Sequence, residues 1–175
     1  MIYGKGSENL KRIGLDIATF LLGCKEKPIF MCIGSDKVVG DSLGVIVGEL
    51  LRQKPQFKNR VYGDMSNPIN RSNLKTVLKD IRSKHPFAPI IVIDAVLGNI
   101  EEVGCIKAFS GGVIAGGQFG NGEMVGDYSI VGVVCPKGVS ALAFLGCVRM
   151  NLVVELSKKI VDGICASAKL CLAMA

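Results

Sequence analysis

The stretch Ile29-Phe30-Met31-Cys32-Ile33-Gly34-Ser35-Asp36-Lys37-Val38-Val39-Gly40-Asp41-Ser42-Leu43-Gly44 decides the fold. It opens on a short apolar run that stops at Gly34. Such a run, without polar alternation, predicts a central strand buried on both faces. A polar loop follows, Ser35 to Gly40. Leu43, Ile46, Val47, Leu50 and Leu51 then recur at helical spacing. Gly44 and Gly48 lie four apart on that helix, which lets it approach a neighbour closely. Strand, polar loop and helix form the first unit of a βα architecture.

The same grammar continues downstream. Val61-Tyr62-Gly63 is a weak strand candidate. Leu74, Val77, Leu78 and Ile81 give a second helical stripe, with Asn70 or Ser72 as its cap. His85-Pro86 and Pro89 break the chain, and a second short apolar run ends at Asp94. Strand, helix, strand, helix, strand is a doubly wound pattern. After Gly98 the character changes. Gly104, Gly111, Gly112, Gly116, Gly117, Gly120, Gly122 and Gly126 punctuate β-prone pieces such as Val103 to Phe109, which suit hairpins or loops. Ser129 to Cys135 reads as a further strand, followed by helices over 139–148 and 150–171. Upstream, residues 8–22 read as a helix ended by Gly23, with Lys25 to Pro28 separating it from the core.

The chain has 175 residues, which fits one domain with a proper core. Hydrophobic residues make up 49% and aromatics 6%, so the core is aliphatic, as in a parallel sheet covered by helices. The net charge of +6 raises nucleic acid as a partner. Its basic residues are scattered, however, and the densest stretch, Lys75 to Lys84, reads as a solvated helix face without interleaved aromatics. Nucleic acid is therefore not expected. The seven cysteines (24, 32, 105, 135, 147, 165 and 171) include no Cys-x-x-Cys pair. Cys32, Cys135 and Cys147 lie in apolar runs, and the set reads as reduced, buried small hydrophobes of a reducing compartment. With one histidine, a zinc site is not expected. No signal peptide or membrane-spanning run is evident, so a cytoplasmic protein is expected.

Two aspartates carry the candidate chemistry. Asp41 opens the helix after the first strand, and Asp94 closes the strand two βα units later. In a doubly wound sheet these two strands are neighbours at the switch in winding direction, where ligands bind outside the carboxyl ends. Both carboxylates then project into one crevice. A close pair can share a proton, so that one acts as acid and the other as base. It can instead hold a divalent cation that activates water, or orient water and substrate. The plainer alternatives are that Asp41 caps its helix and Asp94 accepts loop amides. Asp36 reads first as a turn residue. His85 reads as a surface residue, and Ser42 has no histidine to activate it. The Gly116 to Asn121 loop either approaches the cleft or is a plain hairpin.

Taken in order, Cys32 to Gly44, Val61-Tyr62-Gly63, Ile93-Asp94-Ala95-Val96-Leu97-Gly98 and Glu123-Met124-Val125-Gly126-Asp127 resemble the YyaC family of sporulation proteins. The resemblance runs from about Pro28 to Gly163. That family looks like a relative of the germination protease, which degrades small acid-soluble DNA-protecting proteins in germinating spores. More remotely it resembles the hydrogenase maturation peptidases. The resemblance implies a three-layer α/β sandwich with a mostly parallel sheet. It places a single domain over 1–175, with 1–27 as a helical extension, 28–163 as the family-like core and 164–175 as a tail. It also implies a sporulation-associated peptidase with Asp41 and Asp94 as its acidic pair. Ser35, Asp36, Gly116, Gly117, Asn121 and Asp127 would contact substrate. The implied partner is a protein or peptide, small acid-soluble spore proteins included, and a homo-oligomer is compatible with the apolar helices. No cofactor is implied, although the acidic pair is the place a divalent metal would bind. Where the hydrogenase peptidases carry a metal-site histidine, this chain reads Val134-Cys135-Pro136-Lys137-Gly138, so nickel-guided cleavage is not expected. The chain is also much shorter than the germination protease. A non-catalytic binding or regulatory protein on the same fold is the alternative, and DNA binding ranks third.

Overall fold

A computed structural model of the chain describes residues 1–4, 8–115, 123–138 and 147–174. Its strands are β1 (Ile2–Tyr3), β2 (Ile29–Cys32), β3 (Arg60–Tyr62), β4 (Ile90–Gly98), β5 (Ile106–Ser110), β6 (Val113–Ala115), β7 (Glu123–Val125) and β8 (Tyr128–Pro136). Its helices are α1 (Glu8–Leu22), α2 (Leu43–Arg52), α3 (Leu74–Lys84) and α4 (Met150–Met174). The predicted helix over 139–148 falls mostly outside the described residues.

Six strands form one sheet in the order β1-β5-β8-β4-β2-β3. The four strands β8, β4, β2 and β3 run parallel; on the far side β5 pairs antiparallel with β8, and β1 antiparallel with β5. The expected α/β architecture with a mostly parallel sheet is the one observed. The first and third predicted strands are indeed neighbours, with Ile29 opposite Ile90 and Cys32 opposite Ile93. Among the described residues β6 and β7 pair with each other, as a small separate ribbon.

Because side chains alternate along a strand, each central strand feeds two cores. Phe30, Cys32, Ile91 and Ile93 join Ile13 and Ile17 of α1, Leu43 and Val47 of α2, and Leu156 and Ile160 of α4. Ile29, Met31, Ile90 and Val92 join Leu74 and Ile81 of α3, with Val113 and Val125 of the ribbon. The result is three layers. Helices α1, α2 and α4 cover one face, and α3 with the ribbon covers the other. The N-terminal segment takes part in this packing. β1 pairs with β5, Ile13 and Ile17 are buried, and the Tyr3 hydroxyl donates to the Asp16 carboxylate.

Two expectations change. The strand bearing Asp94 does not end there but runs on to Gly98, because β8 keeps pairing with it through Gly98 opposite Pro136. Cys147 is exposed rather than buried. Cys32, Cys105 and Cys135 are buried, and all seven thiols are free.

The glycine pair on α2 does what its spacing suggested. A Cβ on Gly44 would run into the Ile33 carbonyl, and one on Gly48 into the Gly63 carbonyl. The helix therefore lies on the ends of β2 and β3 at backbone contact distance. Gly48→Ala is expected to cost about 1–3 kcal/mol through forced displacement. Urea denaturation checks this, as a lowered midpoint with an unchanged slope. Gly138→Ala, where an added Cβ meets no described atom within 4 Å, serves as the neutral control.

Candidate active site

The site follows from a mismatch in strand length. β2 ends at Cys32, and the Ile33 N–H donates to the Ile93 carbonyl at 2.8 Å as the last contact between the two strands. β4 continues against β8 alone, through Asp94 opposite Val131 and Ala95 opposite Gly132. A notch opens beside β4 where β2 has stopped. Alternation puts Asp94 on the same face as Ile90 and Val92, so its carboxyl lies under the layer of α3 and the ribbon. It is 8% exposed, and its Oδ1 accepts the Ala95 N–H at 2.7 Å.

Asp41 reaches the notch from the loop after β2. The Ser35 N–H donates to the Asp41 carbonyl at 3.0 Å, and the Asp41 N–H to the Val38 carbonyl at 2.9 Å. Gly34 makes this closure feasible, because a Cβ there would collide with the Asp41 carbonyl. Asp41 closes a short 3-10 turn, Val39–Asp41, rather than opening α2. The residue before α2 is Ser42, whose side chain makes no capping bond. The Ser42 hydroxyl donates to the Val39 carbonyl at 2.7 Å, which ties it into the turn.

Asp41 and Asp94 line one cleft of about 700 Å³. Burial pushes the Asp94 carboxyl up to about 8, and the Asp41 charge and the Ala95 N–H act on it in opposite directions. Burial alone pushes Asp41 up to about 6. The asymmetry has a physical cause: the more exposed group ionises first, and its charge then holds the proton on the deeper one. Asp64, buried after β3, shows the contrast. Its Oδ2 pairs with Arg52 Nε at 2.9 Å, and its Oδ1 accepts the Ser66 and Asn67 N–H groups. Among the described residues no ion pair reaches Asp41 or Asp94. Among the described residues no group of three or more His, Cys, Asp or Glu could hold a metal.

The other sequence candidates sit elsewhere. Ser35 is half-buried in the loop, where its Oγ accepts the Lys37 N–H at 3.2 Å. Asp36 is exposed beside it. Neither lines the cleft. Asp127 stands at the opposite end of the sheet, just before β8. Its Oδ2 accepts the Ile90 N–H at 2.7 Å and pairs with Arg82 at 3.3 Å, which pins the start of β4. Gly116, Gly117 and Asn121 lie outside the described residues. The cleft does contain Asn70, Arg71 and Lys137, which sequence reasoning passed over. The rule that found Asp94 also reaches Lys137, since it directly follows β8, the neighbour of β4. Arg71 follows no motif. It arrives through Ile69, which bridges to Ile33 just beyond β2.

Asp94 also fixes a dependence of stability on pH. Its folded value, about 8, lies above the value of about 3.9 ordinary for an unfolded chain. The unfolded state therefore loses this proton more readily, and stability from this group falls as pH rises from about 4 to about 8. Asp94→Asn is expected to melt higher than the parent at pH 8, by at least the 2–4 °C that about 1 kcal/mol yields at this size. Near pH 4 the two are expected to melt together. Thermal melts across that range check it.

Residues 1–163 match the family described as "Protein of unknown function (DUF1256)". The chain is 33% identical over 156 residues to "Uncharacterized protein YyaC" of Bacillus subtilis (strain 168), covering 88% of this chain and 76% of that protein. A solved structure, a [NiFe] hydrogenase maturation protease HycI from Thermococcus kodakarensis KOD1, aligns with a TM-score of 0.47 and 16% identity, over 85% of this chain and 98% of its own. On the family match and the shared sequence, the chain belongs to the DUF1256 family of YyaC-type proteins.

Proposed function

We propose that the chain is a peptidase in which Asp41 and Asp94 activate water for attack on a peptide carbonyl. One observation carries this reading. Two carboxyl groups line one cleft, no ion pair among the described residues reaches either, and their environments push their titrations apart, to about 6 and about 8. Between those values Asp41 is ionised and Asp94 holds its proton. Asp41 then takes a proton from water, and Asp94 gives one to the carbonyl oxygen or the leaving amine. A pair of carboxyls divided in this way needs no metal.

The substrate class follows the motif resemblance to the germination protease: proteins or peptides, small acid-soluble spore proteins among them, in the cytoplasm of a sporulating cell. Among the described residues no helix is long and apolar enough to cross a membrane.

The purified protein should cleave generic peptides or spore proteins, with fragments read by mass spectrometry. Asp41→Asn and Asp94→Asn are each expected to lower the rate by about 10²–10⁴, the usual contribution of a positioned acid or base. The wild-type rate should rise as pH passes about 6 and fall as it passes about 8. Equal background cleavage by all three proteins would remove the catalytic reading and leave a binding role for the cleft.

A further inference from the structure

The amino end of the sheet holds a second concavity, at the pole opposite the acidic cleft. Its volume is about 520 Å³. It is bounded by the approach to β2 at Lys27 and Pro28, the approach to β3 at Lys58 and Asn59 with Arg60, and the loop before β4 at His85 and Ala88. Three neighbouring parallel strands thus begin around one hollow. The Asn59 side chain donates to the Pro28 carbonyl at 3.1 Å, which holds the two approaches together.

The charge of this hollow is one-sided. Lys27, Lys58 and Arg60 line it, against the single carboxylate of Glu26. Some other exposed cations of the chain are paired: Lys84 with Asp80, Arg82 with Asp127, Lys158 with Glu155. Among the described residues Lys27, Lys58 and Arg60 have no ion-pair partner. His85 adds a polar ring. Its Nε2 lies 3.2 Å from the Tyr62 hydroxyl, and that bond leaves Nδ1 as the remaining polar atom. Like charges around one concave space repel, and low-dielectric walls sharpen their field. An anion placed among them offsets the repulsion and gains charge-assisted hydrogen bonds, bidentate ones from the guanidinium.

We propose that this hollow binds the phosphoryl group of a small ligand, with Lys58 and Arg60 as its principal donors and Lys27 and His85 beside them. The volume falls within the range of small-molecule sites. It admits either free phosphate or a nucleoside monophosphate. The site is independent of the acidic cleft and of the proposed hydrolysis.

Isothermal titration calorimetry of the full chain with inorganic phosphate and with AMP tests it. Wild type is expected to bind at least one of the two at submillimolar concentration. The double variant Lys58→Ala/Arg60→Ala, which changes two exposed side chains, should weaken binding at least about tenfold, the scale of a lost charge-assisted pair. Its circular dichroism and melting temperature, matched to wild type, confirm that it is folded. Asp41→Asn should bind as wild type does. Equal affinity for the two probes marks the oxyanion itself as the ligand, and tighter AMP binding marks a nucleoside phosphate. No binding of either probe, or undiminished binding by the double variant, would overturn the proposal.

Discussion

Everything at the acidic cleft depends on β4 outrunning β2. The two strands stay in register from Ile29 opposite Ile90 to Cys32 opposite Ile93, and then one of them stops. Beyond that point β4 has a partner on only one side. A carboxyl group can occupy the vacated space, and a strand paired on both flanks would have filled it. Gly34 turns the chain away at the end of β2, and Gly44 lets α2 sit against the Ile33 carbonyl. The loop between them is closed by backbone bonds through Ser35, Val38 and Asp41. Asp41 is thus held by main-chain geometry. Such prior ordering means that little conformational freedom remains to be lost when a reactant arrives.

The acidic pair is an expense to the fold. Asp64 shows how this chain handles a buried carboxylate whose role is structural, since a guanidinium and two amides satisfy it. Among the described residues Asp94 receives one amide and a nearby negative charge. Departures from the rule that buried charges are paired gather where function requires them. The departure here is local. The neighbouring strand segments, Ile29–Cys32 of β2 and Ile130 to Val134 of β8, are apolar and buried, and they supply the stability that this residue withholds.

Much of this was legible in the sequence because it was written in short, strong signals. An apolar run ending at Gly34, a second ending at Asp94, and glycines four apart on a helix gave the central strands, their adjacency and the close approach of α2. Asp127 misleads for an instructive reason. Its motif selects it, yet it stands before a strand, while Asp94 stands beyond the point where its neighbour ends. In a parallel sheet those positions are opposite poles, and strand direction alone separates them. β1 was not legible, because two residues carry no periodicity and their pairing with β5 spans most of the chain. The reach of β4 past Asp94 was hidden as well. It depends on support from β8, which a local reading of Ile90 to Ile93 does not contain.

The alternation of β4 between two cores has an evolutionary corollary. Ile91 and Ile93 belong to one face, Ile90, Val92 and Asp94 to the other. Losing or gaining one residue between Pro89 and Asp94 would exchange the faces and drive the carboxyl into the aliphatic layer of α1, α2 and α4. The spacing from Pro89 to Asp94 is therefore a fixed length, not merely a favoured composition. The turns outside the strand carry no such parity and are free to grow or shrink. Length variation among descendants of this chain should gather there and be silent along β4.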